Sequence, residues 1–257
     1  MPALADIARY LDDLLRIAEI PDFPNALNGL QVETDRVIVK VAAAVDARER
    51  SIREAAQLGA NLLLVHHGLF WNGLQPLRGP AMRRVEGLIT RGLALYAAHL
   101  PLDAHAELGN NVLLARELGL EPTNGFARYR TIDIGVSGES DITTTALVAR
   151  ADAFARRYGG SARHSTFTEG QRTHRWAICT GAGASHDSLN EAALRGIDTL
   201  IVGEGPHWSA IDAEELGITI IYAGHYATET LGVCALADHL SRRFDIPWMF
   251  VHVPTGL

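Results

Sequence analysis

Apolar and polar residues follow one another along this chain in blocks that predict alternating helices and buried strands. In the first half, the three- to four-residue apolar spacing of an amphipathic helix occurs in four segments: residues 3–19, 49–58, 81–91 and 110–118. Nearly unbroken apolar runs, which indicate strands covered on both faces, lie between them: residues 36–45, 62–65 and 93–98. Helices and strands in this order predict an α/β fold with mainly parallel strands.

The second half of the chain has the same organisation. Residues 121–130 are rich in turn-forming side chains, so we predict a boundary there between lobes 1–125 and 126–257. Beyond it, strands are predicted at 131–136, 175–180, 199–202, 218–223 and 248–253. Helices are predicted at 143–158, 187–194 and 227–243.

The two halves also resemble each other in sequence. IREAAQLGANLLLVHHGLFW, from Ile52, aligns with LNEAALRGIDTLIVGEGPHW, from Leu189, and a later YAAHxxxD aligns with YAGHxxxE. Each half therefore repeats a helix, a strand with a polar tip and a second strand that ends in His-x-x-x-carboxylate. We predict two similar, interlinked α/β lobes with their strand tips turned toward one cleft, which is where sites usually form.

The first polar tip is a pair of adjacent histidines, His66 and His67, at the end of an apolar run. Imidazoles at this point are candidate metal ligands. Neighbouring side chains on a strand point to opposite faces, so we expect the pair to contact two different ions, or one ion and one surrounding group. Asp46 ends the preceding strand and is either a site residue or the N-cap of the next helix.

The other tips add imidazoles and carboxylates. They are His99, Asp103, Glu204, His225 and Glu229. Histidine and carboxylate donors without cysteine suit Zn, Mn, Fe or Co, and two such ions about 3.5–4 Å apart are a common hydrolytic arrangement. The alternative is that these residues are helix caps and loop polar groups that were copied by duplication.

Composition narrows the class of protein. The chain has 257 residues, of which 47% are hydrophobic and 21% charged, so it can bury a sizeable core. The formal net charge of -7 makes a nucleic-acid partner unfavourable. Its two cysteines, Cys179 and Cys234, form no C-x-x-C pair and are expected to be reduced. No apolar run reaches the ~20 residues of a membrane span and no signal peptide is visible, so a cytoplasmic location is expected.

Three separated motifs carry a family resemblance: HHGLFW from His66, AHLPLD from Ala98 with GNN from Gly109, and GHYATE from Gly224. In these motifs the chain resembles the GTP cyclohydrolase I type-two-like proteins, also called the Nif-three-like dinuclear metal family. The motifs occur in the family's order, and the resemblance covers nearly the whole chain. It is closest to the short members, which lack a large inserted middle domain.

The resemblance implies that two divalent metal ions are bound by a set of five ligands: His66, His67, Asp103, His225 and Glu229. Glu229 would bridge the ions, with His66 and His225 on one and His67 and Asp103 on the other. The resemblance also implies a toroidal homohexamer whose metal sites face an inner cavity.

Three hypotheses about function follow. The first is a metal-dependent hydrolase that acts on a nucleotide or a related small molecule, with His99 and Glu204 as catalytic residues that transfer protons or contact the substrate. The chain has no G-x-x-x-x-G-K-[ST] phosphate loop, so a triphosphate would need other contacts. The second is a non-catalytic metal-binding or regulatory protein. A nucleic-acid-processing factor is a third reading, which the acidic charge disfavours.

Overall fold

The computed structural model describes residues 2–71 and 73–257, in which helices and strands alternate over most of the chain. The helices are α1 Leu4–Leu14, α2 Glu49–Gln57, α3 Gly79–Arg91, α4 Leu100–Asp103, α5 Asn110–Glu117, α6 Thr144–Arg157, α7 His186–Leu194, α8 His207–Glu215, α9 His225–Thr228 and α10 Thr230–Phe244. The strands are β1 Gly29–Val32, β2 Val41–Asp46, β3 Leu62–His67, β4 Ala94–Ala97, β5 Asn124–Tyr129, β6 Ile132–Thr143, β7 Arg163–His164, β8 Arg172–Cys179, β9 Thr199–Val202, β10 Thr219–Tyr222 and β11 Trp248–Phe250.

The chain forms two compact units, each with its own sheet. The first contains residues 1–105 and 232–253, and the second contains residues 106–231 and 254–257. These bounds differ from the predicted lobes 1–125 and 126–257 for a simple reason. The C-terminal strand β11 pairs with β2, so residues 232–253 belong to the first unit although they follow the second in sequence.

The first unit contains a five-stranded sheet in the order β1-β4-β3-β2-β11. Its strands run parallel except for β1, which pairs antiparallel with β4. All residues of β2 and β3 are buried except the last of each, Asp46 and His67. The apolar runs therefore form the centre of the sheet, and polar side chains appear where these strands leave it.

The second unit contains a six-stranded sheet in the order β5-β6-β8-β9-β10-β7. Strands β8, β9 and β10 are parallel to one another, while β5, β6 and β7 make antiparallel pairs. Strand β5 lies in the segment that the sequence pattern assigns to a boundary. It forms because Phe126 is fully buried in the core of this unit, together with Leu189 and Val202.

The internal repeat is a repeat of structure. The series β2-α2-β3-α3-β4 in the first unit has the same order and parallel pairing as β8-α7-β9-α8-β10 in the second. A short helix follows each series directly, α4 after β4 and α9 after β10. The α/β fold predicted from the sequence is thus confirmed, and the candidate site residues lie at the carboxyl ends of these parallel strands, where α/β sheets bind ligands.

Candidate metal centre

His66 and His67 occupy the last two positions of β3. His66 is fully buried, and the His67 side chain is 20% exposed. Their ring centroids are 4.8 Å apart, so the two imidazoles lie close together at the end of the strand.

The two rings are held from opposite sides. Nδ1 of His66 lies 2.9 Å from the carbonyl oxygen of Ala98, which follows β4. Nδ1 of His67 lies 3.0 Å from Oδ1 of Asp46, at the end of β2. Carbonyl and carboxylate oxygens only accept hydrogen bonds, so Nδ1 carries a hydrogen in both rings, and Nε2 is the ring nitrogen left to bind a metal ion. Asp46 is thereby a positioning residue for His67.

His99 follows β4 and joins the same cluster. Its ring centroid lies 4.9 Å from that of His66 and 5.7 Å from that of His67. Each of the three side chains offers one nitrogen, and these nitrogens lie within 4.8 Å of one another. The first unit therefore contains a compact group of three imidazoles that can hold a metal ion.

Asp22 anchors His99 from the loop after α1. Its Oδ1 lies 2.9 Å from Nδ1 of His99, and its Oδ2 accepts a hydrogen bond from the backbone N–H of Leu100 at 3.0 Å. Burial raises the pKa of the Asp22 carboxyl, but hydrogen bonds and the charge of His99 outweigh it, so the pKa lies below its usual value. Asp22 therefore remains ionised and accepts a hydrogen bond from Nδ1–H of His99.

Asp103 and the aromatic side chains complete the surroundings of the cluster. Asp103 is the last residue of α4, and its Oδ2 lies 3.4 Å from Nε2 of His66. The ring of Trp71 stands edge-on to the ring of His99, with centroids 4.6 Å apart. The ring of Phe23 is tilted by 42° relative to that of His99, and their centroids are 5.9 Å apart.

In the second unit the candidate residues are grouped around α9. His225 begins this helix, and its Nε2 lies 3.1 Å from Oε2 of Glu229, four residues later. Its Nδ1 lies 2.8 Å from Oε1 of Glu204, in the loop after β9. Burial lowers the pKa of His225, but the two carboxylates outweigh it and raise the pKa to about 9. Glu229 is almost completely buried, whereas the Glu204 side chain is 43% exposed.

Gly181, after β8, packs directly against this group. Its backbone is left-handed, with a φ of +61°, and a Cβ at this position would overlap Oε1 of Glu229. Its N–H donates to Oγ1 of Thr228 at 3.1 Å, and its carbonyl accepts from the N–H of Glu204 at 2.8 Å. The missing side chain of this glycine is what allows Glu229 to take its place.

The arrangement of the imidazoles fits metal binding. All four candidate histidines direct Nδ1 to an oxygen acceptor: His66, His67, His99 and His225. A histidine that binds a metal typically makes this contact with its second ring nitrogen, because it fixes the tautomer and aims the free lone pair. Sequence reasoning missed Asp22. This residue lies in the irregular loop between α1 and β1, where the sequence has no periodic pattern of apolar residues.

Comparison with known proteins gives a consistent match along the chain. The model of the Duf34/NIF3 (NGG1p interacting factor 3) family matches residues 2–255. A protein of Deinococcus radiodurans named GTP cyclohydrolase 1 type 2 homolog is 41% identical over 255 residues, which cover 98% of this chain and 94% of that protein. A protein of the same name from Archaeoglobus fulgidus is 40% identical over 254 residues, covering 99% of both chains.

Solved structures show the same fold. Protein ybgI, described as of unknown function, superposes with a TM-score of 0.88 at 34% identity, covering 98% of this chain and 99% of its own. TTHA1606 from Thermus thermophilus has a TM-score of 0.84 at 39% identity with the same coverage. Among the residues that the structure describes, no helix has the length and apolar character needed to cross a bilayer.

Proposed function

Because the chain belongs to the Duf34/NIF3 family, we propose that it is a metal-dependent hydrolase that binds two divalent cations. The proposed ligands are His66, His67, Asp103, His225 and Glu229. Glu229 is the proposed bridge, and Zn, Mn, Fe and Co all suit this donor set. The observation that carries the proposal is the Nδ1 contact of each imidazole with an oxygen acceptor.

Burial supports the same conclusion. His66 is fully buried and Glu229 is 3% exposed. Burial of polar groups is costly unless partners offset it, and a cation would be a further partner for both side chains. The donor set without cysteine thiolate is typical of catalytic rather than structural metal sites.

The bound ions would supply Lewis acidity toward the substrate and the attacking water. The chain's own groups would then hold and move protons. Glu204 is our candidate for proton transfer, because one of its oxygens contacts His225 while the side chain remains 43% exposed to solvent. The sequence predicts the same task for His99, whose buried surroundings favour contact with a metal instead.

We propose a nucleotide or a related small molecule as the substrate. The support is the name of the relatives in Deinococcus radiodurans and Archaeoglobus fulgidus, GTP cyclohydrolase 1 type 2 homolog. We also propose a homohexamer, which the sequence resemblance implies. Gel filtration with light scattering tests the assembly, and a mass of six chains is expected.

One observation favours a second candidate, a non-catalytic metal-binding protein. Glu204 directs an oxygen to Nδ1 of His225, so it can act entirely as a positioning residue for that imidazole. In that case the described carboxylate best placed for proton transfer would have no catalytic task.

The deciding experiment compares Glu204→Gln with Glu229→Gln in the metal-loaded protein. The amide introduced by Glu204→Gln can still accept a hydrogen bond from His225 but cannot take up a proton, so an enzyme should keep its metal and lose turnover of the nucleotides tested. Glu229→Gln should lose metal, measured by mass spectrometry of the purified protein. Glu139→Gln, a change at a side chain that is 78% exposed, is the control. No turnover of GTP or other nucleotides by metal-loaded wild type would favour the binding protein, and full metal content in Glu229→Gln would contradict the ligand set.

A further inference from the structure

Asp22 has a complete set of hydrogen-bond donors. Its Oδ1 accepts from the N–H of Phe23 at 2.6 Å and lies 2.9 Å from Nδ1 of His99. Its Oδ2 accepts from Nδ2 of Asn28 at 2.8 Å and from the N–H of Leu100 at 3.0 Å. The side chain is only 6% exposed, so these contacts replace water around a buried carboxylate.

This arrangement fixes one tautomer and one orientation of His99. The carboxylate can only accept, so Nδ1 carries a hydrogen and Nε2 is the ring nitrogen left to bind a metal ion. The backbone is held as well, because the N–H of His99 donates to Oδ1 of Asn28 at 2.7 Å. The ring therefore cannot turn without breaking its contact with Asp22, and Asn28 holds the backbone that carries it.

The available nitrogen belongs to the histidine cluster. His99 offers a ligand atom within 4.8 Å of those of His66 and His67, and both of these rings are anchored through Nδ1 in the same way. Three imidazoles anchored alike through Nδ1 form a donor set that suits a borderline divalent cation such as Zn²⁺ or Co²⁺.

We propose that His99, positioned by Asp22, is an additional imidazole ligand of a divalent cation at the cluster of His66 and His67. The proposal rests on the proposed metal-binding function and extends its ligand set by one residue. It also gives Asp22 a stated task, which is to position the ring of His99 through Nδ1 as Asp46 positions His67.

A purely structural role for the pair predicts a different outcome. In that case the contact between Asp22 and His99 only ties the loop after α1 to the end of β4. Its loss would lower the free energy of unfolding and leave the metal site unchanged. Measurements on the bound metal therefore separate the two roles, whereas stability measurements alone do not.

The experiment uses the full chain, stripped of metal and titrated with Co²⁺ or Zn²⁺. His99→Gln should weaken binding by at least about tenfold, and Asp22→Asn by about 10–100-fold, as expected for loss of the partner of a ligating histidine. X-ray absorption of the Zn²⁺ form should count one imidazole fewer in His99→Gln than in wild type. The Co²⁺ form of Asp22→Asn should show altered visible bands.

Two variants in the same unit provide matched controls. Asp12→Asn removes a carboxylate that accepts a hydrogen bond from the Tyr96 hydroxyl at 2.8 Å. His239→Gln removes an imidazole that lies 2.6 Å from the Tyr10 hydroxyl. Both should bind metal within about twofold of wild type, because neither group belongs to the proposed ligand set or its supports. Urea unfolding of every variant identifies those that lose metal only because they do not fold, and in such a case the milder His99→Asn replaces His99→Gln.

The outcomes distinguish the proposed role of His99 from the proposed metal-binding function of the whole protein. An unchanged affinity and imidazole count in His99→Gln, together with loss of metal in Glu229→Gln, would overturn the role of His99 alone. Retention of metal by both variants would contradict the proposed function itself. Loss of metal in both, with controls unaffected, is the expected result.

Discussion

Replacement of Gly181 by alanine should damage the candidate metal centre more than it damages the fold. A Cβ at this position would overlap Oε1 of Glu229, and it would lie 3.1 Å from Cδ of Glu229 and 3.4 Å from Nε2 of His225. The backbone of Gly181 also supports this group through its contacts with Thr228 and Glu204. The added methyl group must therefore displace the carboxylate, the glycine or both.

The expected cost has two parts. An alanine with the φ of +61° found at Gly181 costs about 1–2 kcal/mol in backbone strain, offset by about 0.4–1 kcal/mol from the less flexible unfolded chain. Insertion of a methyl group into a packed interior adds about 1–3 kcal/mol. The sum of about 1–4 kcal/mol is less than the total stability of most domains, so the variant should fold.

Gly217→Ala is the matched control for this variant. Gly217 has a similar φ of +71°, but a Cβ there would meet no atom within 4 Å. Urea unfolding should therefore show about 1 kcal/mol of destabilisation or less in Gly217→Ala. Its metal binding should equal that of wild type.

Metal affinity is the deciding measurement. Competition with a chromophoric chelator should show at least about a tenfold loss in Gly181→Ala, because Glu229 is the proposed bridging ligand and cannot keep its position. Equal affinities in Gly181→Ala, Gly217→Ala and wild type would refute the reasoning. Such a result would mean that Glu229 binds no metal or that the loop yields without moving it.

Three further predictions concern other parts of the molecule. Asp46→Asn should weaken metal binding by about 10–100-fold through loss of the Nδ1 contact of His67, and calorimetric titration equal to wild type would contradict this. Tyr96→Phe removes a hydrogen bond from the buried hydroxyl to Asp12 at 2.8 Å. The substitution should lower the free energy of unfolding in urea by about 1.5–3 kcal/mol without a change in metal affinity. An unaltered unfolding midpoint would show that this hydrogen bond does not stabilise the fold. Because the pKa of His225 is raised to about 9, the metal-free protein holds a proton there at neutral pH that metal binding must displace. Apparent metal affinity should therefore rise with pH up to about 9, and a flat profile from about pH 7 to 9 would contradict this.

Much of the framework is predictable because it depends on local patterns. The apolar run Leu62–Val65 forms the buried part of β3, and the periodic segment 110–118 forms α5 with its end one residue earlier. His225 and Glu229 are four residues apart, a spacing that brings side chains to one face of a helix, and the structure places their side chains 3.1 Å apart. Regular spacing and duplication are properties that a single sequence displays directly.

The positioning residues could not be predicted in this way. Asp22 and His99 are 77 residues apart, and Asp46 and His67 are 21 apart, so no local pattern joins either pair. Strand β5 is not predicted because Asn124 and Gly125 are turn formers, while its burial depends on packing against distant residues.

The position of the polar residues argues that they are retained for function. A sheet that needed only stability would continue its apolar run, because a buried imidazole such as His66 gains less from burial than leucine and requires a partner for Nδ1. The first unit departs from the apolar pattern at the ends of β3 and β4, and the second unit does so after β9 and β10, the corresponding strands. Sequences depart from local consistency mainly at functional sites. Departures at matching strand ends, each with its own carboxylate or carbonyl support, are therefore not required by the fold and agree with the proposed cation site.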